Sequence, residues 1–160
     1  MTESTPSKVT PCLWFAADGE EALRCYTSLL PDSEILSIDY SDGPDGQRTL
    51  LASFRLGGRD YRAIGAPSGF RFTEAVSLSV ACADQAEVDR YWNTLAADGG
   101  EEQPCGWLKD RWGLSWQIVP DRLPQLLADP DPARVERVLQ AMFGMRRLVI
   151  AELEAAAEQG

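Results

Sequence analysis

The stretch CGWLKDRWGLSWQIVP, residues 105–120, contains three of the five tryptophans of the chain and its clearest strand pattern. Trp116 and Ile118 alternate with polar or smaller residues, which is the period of two expected of a strand with two unlike faces. The Asp-Arg-Trp-Gly tetrapeptide before this strand predicts a tight hairpin turn, in which Gly113 can adopt a positive φ. The strand is therefore expected to close a curved sheet around a small-molecule cavity, with Gln117 pointing inward.

Length and charge limit the class of protein. The chain has 160 residues, enough for one full-sized domain or two small fused modules, and its net charge is −10. An acidic chain argues against nucleic acid and anionic membrane as partners, because both require a basic surface. No apolar run approaches the roughly 20 residues of a membrane span, and no signal peptide is recognised. The polar residues 1–8 are expected to be disordered.

Cysteine and histidine content restricts the chemistry. The four cysteines, at positions 12, 25, 82 and 105, form no CxxC pair and no zinc-ribbon spacing. Three of them lie in apolar patterns, so reduced thiols and a cytoplasmic location are predicted. The chain has no histidine, which removes the most common general base and the most common metal ligand.

Two segments of the chain resemble each other in pattern. EALRCYTSLL (21–30) aligns with AEVDRYWNTL (86–95) at a shift of 65 residues, and the apolar positions of the two helices coincide. Asp18 is the predicted cap of the first helix and Asp84 that of the second. Strands are predicted before and after each helix, so each half reads β-α-β-β-β. We interpret this as an internal duplication, although two amphipathic helices can also align by chance. The predicted strands span residues 9–15, 34–40, 48–56, 59–66 and 74–82, besides the strand that ends at residue 120.

The C-terminal stretch departs from the repeat. Asp131 and Pro132 are well placed to open a helix over residues 133–144, and residues 145–158 are expected to continue as a helix. Both helices carry an apolar stripe that something must cover. A partner chain is the expected cover, so the sequence predicts a homodimer.

Several motifs together resemble the PhnB-like branch of the vicinal oxygen chelate superfamily, the group of glyoxalase, bleomycin-resistance and extradiol-dioxygenase proteins. The residues that carry the resemblance are TPCLWFAADGEEALRCYTSLLPDSEI (10–35), FRFTEAVSLSVAC (70–82), CGWLKDRWGLSWQIVP (105–120) and DPDPARVERVLQAMFGMRRLVIAELEAA (129–156).

The resemblance implies an α+β, glyoxalase-like fold, in which two β-α-β-β-β modules form one curved mixed sheet. The corresponding division places a disordered terminus at 1–8, modules at 9–68 and 69–120, and a C-terminal helical extension at 121–160. This branch also bears the description "3-demethylubiquinone-9 3-methyltransferase". Methyltransferase activity is not expected, because no Gly-rich loop for S-adenosylmethionine follows the first strand.

In the metal-dependent members of that superfamily, histidine and glutamate side chains on cavity-facing strands hold one divalent ion. By position, the ligands here would fall near Pro11 or Cys12, near residues 75–77 and at Gln117, and none is histidine or glutamate. A neutral amide is a poor substitute for carboxylate. The resemblance therefore implies the cavity but no metal and no other cofactor. The ligands of an atypical metal site would be Cys12, Glu74 and Gln117.

Strand parity predicts which side chains face the cavity. If the apolar rows 13/15, 76/78/80 and 116/118 pack on the helices, the alternating residues point inward. A lining of thiol, hydroxyl, amide and indole groups suits a small organic ligand. The alternative is that these groups only bond one another or buried water. The predicted ligand-binding residues are Cys12, Trp14, Ser77, Ser79, Trp107, Ser115 and Gln117.

Other candidates each have a structural alternative. Glu74 could act as a base if desolvated, or remain a solvated carboxylate at a strand start. Cys105, near cationic Lys109 and Arg111, could be an activated thiol or an inert loop thiol. Phe70 and Phe72 could cover the pocket or be core aromatics. Trp107 and Trp112 could stack on a planar ligand or cover a dimer seam.

Three functions stay open on these observations. The first and preferred one is a metal-free binding protein for a small organic molecule. The second is a lyase, isomerase or dioxygenase-like enzyme with an atypical metal site. The third is a dimeric interaction protein whose cavity is vestigial.

Overall fold

The structure is a computed structural model that describes residues 7–17 and 19–159. These residues divide into two compact units, and the division falls between Arg71 and Phe72. The prediction of disorder for residues 1–8 falls mostly on residues 1–6, which lie outside the described part of the chain, and so does the predicted cap Asp18.

The first unit is a four-stranded sheet with one helix. Strand β1 runs parallel to β4, and the other neighbouring strands are antiparallel. The order across the sheet is β1-β4-β3-β2. The elements are β1 (Cys12–Phe15), α1 (Glu20–Leu29), β2 (Glu34–Asp42), β3 (Arg48–Leu56) and β4 (Arg59–Gly65).

The second unit repeats this plan and adds three helices. Its strand order is β5-β8-β7-β6, again with the first and last strands of the module parallel. Cys12 and Ser77, which are 65 residues apart, begin the first strand of each module. The α+β class, the duplicated module and the C-terminal helices are thus confirmed. The elements are β5 (Ser77–Cys82), α2 (Gln85–Leu95), β6 (Glu101–Glu102), β7 (Trp107–Lys109), β8 (Ser115–Pro120), α3 (Arg122–Leu127), α4 (Pro132–Phe143) and α5 (Ile150–Glu158).

Each unit buries one face of its sheet under its own helix. In the first unit Leu23 and Tyr26 of α1 are fully buried, as is Phe54 of β3. In the second unit Trp92 of α2 and Trp116 of β8 are the largest buried side chains of the core. One side of each helix is apolar because its apolar residues recur every three or four positions, and that side packs on the sheet. The opposite face of each sheet is not covered by that helix.

The turn before β8 is organised by a buried carboxylate. Asp110 is only 3% exposed, and its Oδ1 accepts from the backbone N–H groups of Trp112 (2.9 Å) and Leu114 (3.0 Å). Its Oδ2 accepts from the indole Nε1 of Trp116 at 2.9 Å. Gly113 has φ of +90°, as the sequence predicted. The turn therefore fixes both the start of the strand and the indole that anchors it.

Two strands begin later than the sequence predicted. β1 begins at Cys12, and Val9 is 82% exposed. Pro11 has no N–H to offer a neighbouring strand, although its carbonyl accepts from Arg62 N at 2.9 Å. β5 begins at Ser77 rather than at position 74, since a turn over residues 73–76 precedes it. Val76 is consequently 63% exposed and does not belong to the helix-facing row.

The predicted helix over residues 145–158 is correct only from Ile150 onward. The carbonyls of Met145 and Arg146 accept from the N–H groups of Cys105 and Gly106, both at 2.8 Å. This pairing with a distant loop replaces the hydrogen bonds that a helix would need. Helix α4, by contrast, starts as predicted, with the Asp131 side chain accepting from Ala133 N.

The apolar stripe of the C-terminal helices is covered in part from within the second unit, while Phe143 at the end of α4 stays 56% exposed. A cluster formed by α3, α4, α5 and the segment before α5 buries Val138, Leu148 and Leu153 completely. Part of the apolar stripe therefore needs no partner chain, and the homodimer stays a prediction. Within residues 7–17 and 19–159, no helix combines the length and the apolar character that crossing a membrane requires.

Candidate ligand-binding faces of the two sheets

Strand parity holds along β1, the first strand of the first unit. Leu13 and Phe15 are buried, with 5% and 2% exposure, whereas Cys12 and Trp14 lie on the open face. The ring of Trp14 meets Phe70 edge-on, with centroids 5.0 Å apart. Phe70 is itself exposed, so it is not a core aromatic and lies beside a predicted ligand-binding residue.

In the second unit, four predicted residues share one face of the sheet. Ser77 and Ser79 on β5 lie beside β8, and Ser79 is directly opposite Gln117. Gln117 is also opposite Trp107 on β7. The Gln117 side-chain Nε2 donates to the Ser77 hydroxyl at 2.9 Å. The structure therefore brings together an amide, two hydroxyls and an indole, which the sequence predicted as inward-facing.

Ser115, at the start of β8, is fully buried. By parity its side chain lies on the same face as Gln117. Its hydroxyl oxygen has no hydrogen-bond partner among the described residues. A buried hydroxyl without a protein partner favours a bound water or ligand at that position, because desolvating it otherwise costs free energy.

Trp107 also borders a cavity at the outer edge of the second sheet. Its volume is about 520 Å³. The half-buried Trp107 supplies the aromatic wall, while the guanidinium of Arg146 donates to the backbone carbonyl of Glu102. Three carboxylates lie around this cavity, so it does not suit an anion. Its lining is Glu74, Glu101, Glu102, Gln103, Pro104, Trp107 and Arg146.

Glu74 occurs as the solvated, paired carboxylate rather than as a base. Its Oε1 lies 2.5 Å from Nζ of Lys109, and the side chain is 51% exposed. The hydrogen bond from Lys109 holds the pKa of the Glu74 carboxyl below its usual range. A carboxyl with a lowered pKa is a weak proton acceptor, which favours the alternative of a solvated carboxylate over that of a base.

Cys105 lies in the loop that leads into β7. Its backbone has φ of +63°. Of the two cations expected beside it, Lys109 pairs with Glu74, and Nη1 of Arg111 lies 3.5 Å from a carboxylate oxygen of Asp98. The alternative of a structural loop thiol therefore fits the structure better than an activated one.

The remaining aromatic candidates occupy different surroundings. The guanidinium of Arg111 lies over the ring of Trp112, 4.3 Å from its centroid. That cation–π contact occupies one face of the indole. Phe72 is half-buried in the second unit.

A larger cavity lies on the open face of the first sheet, with a volume of about 570 Å³. Cys12 is the predicted residue that lines it. Sequence reasoning missed the others, since parity was applied only to the first strand of each module and to the last strand of the second module. The same alternation along residues 48–56 and 59–65 would have placed Leu51, Ser53, Arg62 and Ile64 on this face. The lining is Ser7, Lys8, Thr10, Cys12, Ser37, Asp39, Leu51, Ala52, Ser53, Arg62, Ala63 and Ile64.

Burial raises the pKa of two of the cysteine thiols. Partial burial raises the pKa of the Cys12 thiol, and the positive charge of Arg62 partly offsets that rise. Burial raises the pKa of the Cys82 thiol to about 12. Both thiols are therefore protonated at neutral pH, and neither is poised as a nucleophile.

The donors on these faces do not fit the divalent ion of metal-dependent relatives. Among residues 7–17 and 19–159, no three His, Cys, Asp or Glu side chains come close enough to hold a metal. Cys12 has a protonated thiol beside the cation Arg62, and the Glu74 carboxylate is paired with Lys109. Gln117 offers only a neutral amide.

Comparison with known proteins agrees with the duplicated fold. A family model described as 3-demethylubiquinone-9 3-methyltransferase matches residues 7–119. The PhnB protein from Bacillus cereus is 35% identical, with a TM-score of 0.64 over 71% of this chain and 99% of that chain. No curated protein matches the sequence.

Two more distant structures share the fold alone. Protein PA1353 from Pseudomonas aeruginosa is 22% identical, with a TM-score of 0.53 over 72% of this chain and 100% of that chain. The fosfomycin resistance protein FosX from Mesorhizobium loti is 13% identical, with a TM-score of 0.52 over 79% of this chain and 100% of that chain. Strand order, sequence identity and the family match together assign this chain to the PhnB-like family of the vicinal oxygen chelate superfamily.

Proposed function

We propose that the protein binds a small, neutral, oxygen-bearing organic molecule on the open face of the second sheet, without a metal ion. The observation that carries the proposal is the Gln117 amide. Its Nε2 is directed by the Ser77 hydroxyl, while no described residue donates to its carbonyl oxygen. An oriented amide can accept from a ligand hydroxyl and donate its second N–H to a ligand carbonyl.

The neighbours of Gln117 suit the apolar part of such a molecule. Trp107, directly opposite on β7, is half-buried and offers a flat aromatic surface. Ser79, on the other side, is exposed and adds a hydroxyl. A small set of polar groups beside an aromatic surface is the usual composition of a small-molecule site.

The methyl transfer named in the family description is not part of this proposal. The segment between β1 and α1 reads AADG and has no run of glycines that would let a cofactor approach the backbone. The groups on the second sheet hold and orient a ligand, but they supply neither a base nor a nucleophile.

The experiment compares the wild-type protein with a Gln117→Leu variant. A panel of neutral aromatic ketones and phenols is titrated, and binding is followed by tryptophan fluorescence and calorimetry. We expect at least one compound to bind the wild type and to lose measurable binding in Gln117→Leu. Gln140→Leu is the matched control, because Gln140 lies exposed on α4. Thermal unfolding verifies that both variants fold.

Unchanged binding in Gln117→Leu would refute the assigned site. Elemental analysis of protein purified without chelator separates this proposal from a metal-dependent enzyme. A stoichiometric transition metal in that sample would contradict the metal-free site. No binding across the panel would instead favour an interaction protein.

A further inference from the structure

The open face of the first sheet carries a continuous polar row. Cys12 on β1 is opposite Arg62 on β4, and Arg62 is opposite Ser53 on β3. Ser53 is in turn opposite Ser37 on β2. All four side chains line the cavity of about 570 Å³. A single guanidinium is thus flanked by neutral thiol and hydroxyl groups across the full width of the sheet.

The next row along the same face is mainly apolar. Trp14 is opposite Ile64, and Ile64 is opposite Leu51. Leu51 is 46% exposed although it is a large apolar side chain. Asp39 ends the row on β2. A molecule placed across the two rows would therefore meet a cation and hydroxyls at one end and an apolar surface along its body.

Arg62 has no polar partner among the described residues. Two other arginines of this unit differ: Arg55 pairs with Asp60 and Glu34, and Arg48 lies over the ring of Tyr40, 3.6 Å from its centroid. Arg59 lies outside the cavity lining. In a chain with a net charge of −10, the Arg62 guanidinium lines a cavity without pairing to a described carboxylate. Lys8, also on the cavity lining, adds positive charge at its edge.

We propose that this face binds a small monocarboxylic acid, whose carboxylate pairs with the guanidinium of Arg62 and whose apolar body lies on Ile64 and Leu51. The planar guanidinium matches a carboxylate through two parallel hydrogen bonds. Ser53, directly opposite, can donate a third. Asp39 at the end of the apolar row repels a second acidic group, which selects monoacids over diacids. This site lies on a different sheet from the one under Proposed function and takes a ligand of different charge.

The test uses calorimetric titration of the full chain with benzoate, and with benzamide as its neutral counterpart. We expect benzoate to bind more tightly than benzamide. The affinity for benzoate should fall with rising ionic strength, because the Arg62 cation is exposed. Arg62→Gln is expected to weaken benzoate binding about tenfold or more, the usual effect of losing a charged hydrogen-bond pair. Arg59→Gln is the matched control, since it removes the same charge from the same strand outside the cavity lining.

Several results would overturn the proposal. Equal affinity for benzoate and benzamide would show that the charge plays no part. An equal loss of benzoate affinity in Arg59→Gln and Arg62→Gln would show that only the net charge of the protein matters. Tighter binding of inorganic phosphate than of benzoate would assign a phosphate site instead. Loss of benzoate binding in Gln117→Leu would show that the site is not separate from the second sheet. If none of the neutral ketones and phenols binds, the benzoate test still stands, because it concerns a different sheet.

Discussion

Gln117 on β8 and Ser77 on β5 are joined by a side-chain hydrogen bond of 2.9 Å that crosses the one parallel strand pair of the second sheet. A double-mutant cycle with Ser77→Ala and Gln117→Leu should measure it. We expect a coupling of about 1 kcal/mol in the free energy of unfolding, determined by urea titration. Ser79→Ala, paired with Gln117→Leu, should show a coupling near zero, because Ser79 makes no such bond. A zero coupling for Ser77 would mean that the amide is not held in this orientation.

Asp110 should be one of the most sensitive positions for stability. Asp110→Ala would leave the backbone N–H of Leu114 and the indole N–H of Trp116 without their acceptor inside the core. Two buried donors without partners predict a loss of about 2–4 kcal/mol in the free energy of unfolding. Chemical denaturation measures this loss. The control Asp42→Ala, at an exposed strand end, should change stability by no more than about 0.5 kcal/mol; a similar loss in both would contradict the role of the turn.

The Glu74–Lys109 pair predicts a defined pH response. Lys109 lowers the pKa of Glu74, and Glu74 in turn raises the pKa of Lys109. Because the folded-state pKa of Glu74 lies below its unfolded value, the pair stabilises the fold above that unfolded value. The contribution is lost as the pH falls through the folded-state pKa.

Lys109→Met should therefore raise the pKa of Glu74 toward its usual range, as followed by NMR titration of the side-chain carboxyl carbon. Glu20 is the internal control. Its pKa is lowered mainly by the hydrogen bond from Tyr40 in the first unit. A Glu74 pKa that does not move, or a Glu20 pKa that moves equally, would contradict the assignment.

The thiols should differ in their rates of alkylation. Cys82 is fully buried with a pKa of about 12, so iodoacetamide at pH near 8 should modify it only after unfolding. Cys12 is exposed and should react in the folded protein. Since Arg62 lowers the Cys12 pKa, Arg62→Gln should raise that pKa further and slow the reaction. Mass spectrometry gives both rates, and Arg59→Gln should leave them unchanged. A faster reaction of Cys12 in Arg62→Gln would reverse the assigned electrostatic effect.

Local signals predicted much of the fold. The cap of α2 is as expected, with Asp84 Oδ1 accepting from Glu87 N at 2.9 Å. Alternation along β1 and β8 identified the open faces correctly, because a strand with one buried face must alternate. These features depend on residues close in sequence. The α+β class and the duplication were predicted from these local features, and the resemblance to a known family implied the same fold.

The differences arose where distant residues decide the structure. No residue type in the segment 145–149 opposes a helix. The segment is not helical because the carbonyls of Met145 and Arg146 accept hydrogen bonds from the loop at Cys105. Arg62 was missed because a charged residue on a strand is ordinarily solvated. Its significance depends on the residues opposite it on neighbouring strands, and register cannot be read from one segment alone. Glu74 looked like a candidate base until its partner Lys109 was placed beside it.

The side chain of Gln85 on α2 makes two hydrogen bonds to the segment around the start of α5: its Nε2 donates to the Leu148 carbonyl at 3.0 Å, and its Oε1 accepts from Ile150 N at 2.8 Å. This segment lies beyond residue 119, where the family match ends. A fragment trimmed to the family boundary would thus lose both of these Gln85 hydrogen bonds and the ion pair between Arg147 and Asp89 of α2. Such a fragment would also uncover Val119 of β8, which packs against the C-terminal cluster, so the C-terminal helices contribute to the stability of the second sheet.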